Sequence, residues 1–597
     1  MSEMISVSTV ISNFFESKGV RHVFLLSGGM IMNLLDSLSR SKKIKYVCNQ
    51  HEQACAIAAE AYSRIKNDIG VCYATSGPGA TNTITGIAGA WLDSVPVIFL
   101  TGQSKVPLTI KGTGLSNLRM LGSFEVNTTE IVKPITKYTA FIDKPEEILF
   151  HLEKAYYIAT EGRPGPVLLD IPIDIQGSMV NEENLSHFNL PTERLYNISS
   201  EMDKLATLLN KSKKPLILGG HGIRVSGQVN RFRDLIHKLN IPVVSTQLAN
   251  DLIPYNDDLY IGKVGLRGDR AGNFAVQSAD LLITLGTSLH ITTTGYELDD
   301  FAPHAKKVVI DIDNNVLAKN KSISNLQIFC DIKLFLDYFE SFKSANKSIL
   351  EPWILQIQSW KNNFSVIKEP HKRNGDEINT YHLIDILSNS LKGDEILITD
   401  AGSLYYIVGQ TFRSKENTRV IVSGALGAMG YALPATIGAC FAEPDKSVIC
   451  LTGDGSMQLN VQELQTISTY KLNCKIIVLN NKGYASIRNS QASFLDGHIA
   501  ASSENTGVKF PDWKKLSDAY SIPYQKEDKF SNLPEFLKNL LALKGPVFAE
   551  IVIPEKVNML PAVTSVRSSN GDFKSNRLHE MSPELPADLL NNLKLSI

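Results

Sequence analysis

Residues 447–481 read SVICLTGDGSMQLNVQELQTISTYKLNCKIIVLNN, and the fold is decided by how this stretch is parsed. Ser447 to Thr452 is a short apolar run, long enough for a buried strand and too short for a helix. It stops at Gly453-Asp454-Gly455-Ser456, where glycine lets the backbone turn sharply and approach a ligand closely. Val461, Leu464 and Ile467 then recur at helical spacing, and Lys475 to Leu479 reads as the next buried strand. A strand–loop–helix–strand unit places both loops at the C-terminal edge of a parallel sheet, where open α/β folds bind ligands. Asp454 ends the first strand and Asn481 the second. One hard carboxylate and one amide oxygen suit Mg²⁺, which takes oxygen ligands and shares them with substrate phosphates.

The flanking sequence repeats the pattern. In the first third, the helix Thr9 to Lys18 leads to strand Val23–Leu26, and Lys45–Cys48, Val71–Ala74, Val97–Thr101 and Val167–Ile171 alternate with helical stretches. The middle third holds Leu216–Leu218, Ile241–Val244, Leu281–Leu285 and Val308–Ile312. The last third adds Glu395–Thr399 and Val547–Ile551, and its GPVFAEI echoes GPVLLDI at 165–171. Continuous apolar strands between helices predict an α/β protein of three doubly wound parallel-sheet domains. We expect these at 1–180, 201–340 and 377–560, with a polar linker over 181–200, a charged connector over 341–376 and a tail over 561–597. The short echo fits two related domains flanking a different middle one.

Composition excludes several classes. The 597 residues exceed one core, and at ~150 residues per domain the prior is about four, or three larger ones. A net charge of -1 offers no general attraction to nucleic acid or an anionic membrane. No apolar run approaches the length of a membrane span. The seven cysteines form no CxxC, and the amphipathic, acidic N-terminus does not read as a signal peptide. The expectation is a cytoplasmic protein with reduced thiols.

The GDGS to NN spacing resembles the diphosphate-binding motif of thiamine diphosphate (ThDP) enzymes. NQHEQACAIAAEAY at 49–62 and TSGPGATN at 75–82 resemble the pyrimidine-binding domain of the acetohydroxyacid (acetolactate) synthase family, and SGALGAMGYALP at 423–434 supplies a third segment. The resemblance runs from about residue 5 to 555 in the family's order of pyrimidine, middle and diphosphate domains. It implies ThDP and Mg²⁺ as cofactors, with pyruvate and a carbonyl acceptor as substrates. Glu52 would bond the pyrimidine ring nitrogen, with Pro78 and Asn82 against the same ring. Met429 would wedge under the bent cofactor while the Gly427 carbonyl accepts from its amino group. Gln103 completes the catalytic set that the resemblance implies. Asp454, the Asn481 side chain and the Gly483 carbonyl would hold the metal. Gly453, Gly455, Ser456 and the Ser403–Tyr405 region would line the diphosphate. In relatives the site lies between two subunits, so a homodimer or homotetramer is implied.

The chain also departs from that family. Thr292 falls where the family places an arginine for the acceptor carboxylate, and Ser490 lies near its tryptophan position; Arg488, Arg267 or Arg270 could substitute. NNKGYASIR and the tail HEMSPELP are similar to relatives that transfer the acetyl unit to nucleotide-linked keto-sugars, so two acceptor classes stay open. A pyruvate oxidase-type flavoenzyme and a non-catalytic scaffold are further readings. Retention of Glu52 argues against glyoxylate carboligases, and the lack of a His-His pair in the first domain against simple pyruvate decarboxylases. FAD is open: Gly219-Gly220-His221-Gly222, Gly265, Asn273 and Asp311-Ile312-Asp313 align with flavin-contacting segments, but the usual arginine is Ser288, and an empty middle domain is the alternative.

Overall fold

The computed structural model describes residues 4–115, 117–192, 196–342, 347–567 and 573–593. Residues 193–195 of the expected linker, 343–346 of the connector, and 568–572 and 594–597 of the tail lie outside the described residues.

Three six-stranded sheets, each wholly parallel, form the chain. The first is ordered Lys45–Cys48, His22–Leu25, Gly70–Ala74, Val97–Gln103, Val167–Pro172, Tyr138–Phe141. The last is ordered Arg419–Val422, Ile396–Thr399, Val448–Gly453, Cys474–Asn480, Val547–Val552, Tyr524–Glu527. Numbered within each sheet along the chain, both follow the order 2-1-3-4-6-5, and the strands that follow the two GPV turns occupy the same place. The middle sheet runs Tyr260–Lys263, Val243–Ser245, Pro215–Gly219, Leu281–Leu285, Lys306–Asp311, Leu326–Phe329, which is the 3-2-1-4-5-6 order of dinucleotide-binding folds. The outer domains therefore share a topology that the middle one lacks.

Alternation within strands covers both faces of each sheet. Phe24, Cys72, Phe99 and Leu168 enter one core, while Val23, Leu25, Tyr73, Leu100 and Leu169 enter another. The first of these cores continues into the last domain, because helix Glu52–Lys66 packs along helix Ala432–Ala442. Small residues permit that approach: a Cβ on Gly438 would lie 2.0 Å from the Ala58 carbonyl oxygen. The tail docks on the middle domain. Ala562–Val563 pairs with Met581–Ser582, and Val563, Leu578 and Met581 share a core with Phe274 and Trp360. The seven cysteines are free thiols, six of them buried. No helix among the described residues is long and apolar enough to cross a membrane.

Candidate cofactor and active site

In the last sheet the chain order reverses between Ile396–Thr399 and Val448–Gly453, which makes their C-terminal ends the switch point where ligands bind. Helix Ser403–Thr411 begins there after Gly402, and helix Ala485–Phe494 begins beside it after Tyr484. Neither helix has a side-chain cap at its N-terminus. Their free N–H groups and dipoles suit an anion. Ser486, in the first turn of the second helix, has a buried hydroxyl without a partner. It lies 3.3 Å from where a Cβ on Gly402 would sit.

The metal-ligating candidates converge at the same edge. Asp454 is 2 % exposed; its Oδ2 accepts from the Asn481 N–H at 2.9 Å and the Gly483 N–H at 3.2 Å, and its Oδ1 from the Gly455 N–H at 2.7 Å. Burial, opposed by these backbone bonds, pushes its carboxyl up to about 6. With the Asn481 amide oxygen turned inward, that atom lies 2.6 Å from the Gly483 carbonyl oxygen and 3.3 Å from Asp454 Oδ2. Turned the other way, its nitrogen donates to both; with the oxygen inward, the carboxylate, the amide and the carbonyl are oxygen ligands of the kind a hard cation takes. Among the described residues there is no cluster of three or more His, Cys, Asp or Glu side chains able to hold a metal. Arg488 holds this corner in shape, donating to the carbonyls of Lys482, Ser502, Asn481 and Glu555. Gly483 favours glycine, since a Cβ would meet the Ser502 carbonyl oxygen at 2.4 Å and its φ is +145°.

Above the clamp, Gly427 has φ +67° and open space at its Cβ position. Met429 is 37 % exposed, in a loop where Ala425 and Gly427 are exposed as well. A Cβ on Gly455 would meet the Tyr484 ring at 2.3 Å and lie 3.4 Å from Met429 Cε, so the GDG turn, Tyr484 and Met429 are neighbours. Ser456 is buried beside this turn, and Tyr405 packs edge-on against Tyr406 at 5.0 Å.

The other half-site lies on the first sheet. Glu52 opens helix Glu52–Lys66 and is 7 % exposed. Its Oε2 accepts from Asn82 Nδ2 at 3.0 Å, and the short helix Pro78–Asn82 brings Gly79 against Oε1. Glu52, Pro78 and Asn82 are thus adjacent. Gln103 is otherwise engaged: Nε2 donates to the Val126 carbonyl and Asp170 Oδ2, and Oε1 accepts from the Ser104 N–H. That leaves its amide little capacity for substrate. Between the halves, Asn460 donates to Gln53 Oε1 at 3.2 Å and to the Gly430 carbonyl at 2.7 Å.

Comparison with known proteins matches three models in succession: thiamine pyrophosphate enzyme N-terminal TPP binding domain over 5–116, central domain over 202–339 and C-terminal TPP binding domain over 400–551. Acetolactate synthase 2, chloroplastic, of Nicotiana tabacum is 34% identical over 579 residues, spanning 95% of this chain and 84% of its own. The acetolactate synthase large subunit of Lactococcus lactis is 33% identical over 560 residues, spanning 94% of both chains. The chain belongs to the acetolactate synthase family of thiamine pyrophosphate enzymes.

Within that family, the departures noted in the sequence acquire structural content. Arg270 is 1 % exposed and bonded to Glu369 and to the Met581 and Pro583 carbonyls of the tail. With Arg488 clamping four carbonyls, two of the three arginines suggested for an acceptor carboxylate are structural. Arg267 donates through Nη1 to the Met559 carbonyl and lies over Tyr406. The residues aligned with flavin contacts are also employed locally. Asn273 bonds both backbone groups of Gly265 and the Leu578 carbonyl, and Gly220 and Gly222 pack on the backbone of Gly286. Asp313 pairs with Arg163. Acetolactate synthase relatives weigh against the flavin oxidase and keto-sugar readings.

Proposed function

We propose that this protein is a ThDP- and Mg²⁺-dependent carboligase that decarboxylates pyruvate and transfers the acetyl unit to a carbonyl acceptor, a second 2-keto acid as in its acetolactate synthase relatives. The observation that carries the reading is the meeting of the Asp454 carboxylate, the Asn481 amide and Gly483 at one sheet edge beside two uncapped helix N-termini. The donor set fits a metal–diphosphate group, and the orphaned Ser486 hydroxyl fits one more anionic oxygen. When bound, ThDP supplies the carbanion-stabilising chemistry of decarboxylation and acyl transfer. The protein supplies placement. Asp454, the Asn481 amide and the Gly483 carbonyl would hold Mg²⁺. Ser403 and the N–H groups that open its helix would bind phosphoryl oxygens, with Gly453, Gly455 and Ser456 forming the turn beneath. Asn82 fixes the Glu52 carboxylate so that it can share a proton with the pyrimidine ring nitrogen. Met429 presents apolar surface, and the Gly427 carbonyl is the acceptor for the ring's amino group.

A homo-oligomer with sites between subunits is supported by two exposed apolar rims. Leu115, Met120, Leu121 and Phe124 are exposed in one segment, where Phe124 approaches Gly77 just ahead of Pro78, and Leu459, which approaches Gly430, Ile487 and Met429 are exposed near the Asp454 turn. Apolar surface of this kind marks an interaction site. Seven free thiols support a reducing compartment, the cytoplasm. The test is CO₂ release from pyruvate with ThDP and Mg²⁺, with products identified by mass spectrometry for pyruvate alone, 2-ketobutyrate and keto-sugar nucleotides. Acetolactate is expected; no CO₂ with any acceptor would overturn the reading.

A further inference from the structure

Two buried carboxylates outside the site just described cross between the outer domains in opposite directions. Asp93 follows helix Ile84–Leu92 of the first domain and is 4 % exposed. Its Oδ2 accepts from the Gly424 N–H at 3.2 Å and its Oδ1 from the Ala425 N–H at 3.0 Å, in the loop that carries Gly427 and Met429. Arg64 fixes Asp93 from behind and donates to the Val422 carbonyl at the start of the same loop. Glu60 pairs with Arg64 and accepts from the Tyr431 hydroxyl at its end. Glu463 of the last domain is fully buried. Its Oε1 accepts from the Gln50 N–H and its Oε2 from Asn49 Nδ2, both at 2.9 Å, just ahead of Glu52. Thr466 also donates to Oε2.

We propose that Asp93 and Glu463 are reciprocal positioning residues, each setting the catalytic loop of the opposite domain: Asp93 places Gly427 and Met429, and Glu463 places Glu52. An ionised carboxylate is the one side chain whose two oxygens both accept and neither donates, so it reads a pair of N–H groups in one register. Holding such a group in a dry interface costs more than apolar packing would. The loops they hold carry the exposed Gly427 and Met429 and the Glu52 carboxylate, and each is otherwise tied within its own domain, Ala428 to Ser423 and Glu52 to Asn82. The proposal rests on the cofactor reading above, and its test separates the two.

Affinity for ThDP and for inorganic diphosphate, each with Mg²⁺, is measured by calorimetry on wild type, Asp93→Asn and Glu463→Gln, alongside kcat and KM for pyruvate. Each amide would turn an N–H toward a donor it cannot satisfy. Asp93→Asn is expected to weaken ThDP by about tenfold or more while leaving inorganic diphosphate within about twofold, because the metal clamp is untouched. Glu463→Gln is expected to lower kcat by about tenfold or more with ThDP affinity and KM nearly kept. If either variant fails to fold, Asp93→Glu, which keeps the charge but moves the carboxylate off the Gly424 and Ala425 N–H groups, and Asn49→Ala, which removes one Glu463 partner, carry the same test with effects of about threefold in the same directions. Folded variants with parent values, or equal loss of ThDP and diphosphate, would overturn the positioning role. A wild type that binds no ThDP would instead refute the cofactor reading itself.

Discussion

Asp454→Asn is expected to make the metal-free protein more stable near neutral pH while abolishing Mg²⁺-dependent ThDP binding. Asp454 is 2 % exposed, and burial raises its carboxyl from 3.8 to about 6. The folded state therefore holds the proton more tightly than the unfolded chain. Below about pH 4 both states are protonated and the residue costs nothing. Between about pH 4 and 6 the unfolded state ionises first, and above about 6 the full penalty applies, at most about 3 kcal/mol for two units. Asparagine is neutral throughout but has one acceptor oxygen where Asp454 uses two, a loss of about 1–2 kcal/mol. The metal-free variant should thus be about 1–2 kcal/mol more stable than wild type at pH 7, and the order should reverse toward pH 4.5. Urea unfolding of both proteins in chelator, from pH 4.5 to 8, reads the crossing. It requires no absolute stability, which a three-domain chain does not define well. Mg²⁺ with ThDP should stabilise wild type alone. A variant weaker than wild type by the same amount at every pH, or one that still binds ThDP with Mg²⁺, would refute the assignment of Asp454 as a buried ligand awaiting a cation.

Other outcomes follow from the same geometry. Glu52→Gln should lower turnover by about a hundredfold or more, with ThDP affinity largely retained in calorimetry, if the proposed role of Glu52 is proton exchange with the pyrimidine ring. Gly455→Ala should cost about 1–3 kcal/mol and weaken ThDP binding, because its Cβ would sit 2.3 Å from the Tyr484 ring; thermal melting and calorimetry check it. Arg270→Ala should destabilise by about 3–5 kcal/mol, leaving Glu369 and two tail carbonyls unpaired in a dry site, and limited proteolysis should then release the tail first.

Much of the candidate site is legible as a set of motifs because each motif is local. GDGS, NN, SGPGATN and GALGAMG are short turns at strand ends, where glycine geometry and a single polar side chain dictate what the backbone can approach. Positions defined by long-range packing were not legible. Gln103 ends a strand beside a conspicuous glycine, yet its amide is engaged by Val126, Ser104 and Asp170. Arg270 and Arg488 looked available to a carboxylate, but carbonyls distant in sequence hold them. Ser486 has no signature in the sequence, because a serine in a helix's first turn is unremarkable until its hydroxyl is found buried without a partner.

The sequence by itself determined the parallel α/β architecture, since strand length, apolar continuity and glycine turns are properties of neighbouring residues. Resemblance to ThDP enzymes places Asp454 and Glu52 in one expected site, although some four hundred residues separate them. Only the tertiary structure decided that the outer domains share a strand order that the middle one does not, because order depends on which helices cross which face. Only packing could show that Asp93 and Glu463, unremarkable as letters, are buried against the opposite domain's loops: a carboxylate acquires a role there once exclusion of water makes each unpaired N–H expensive.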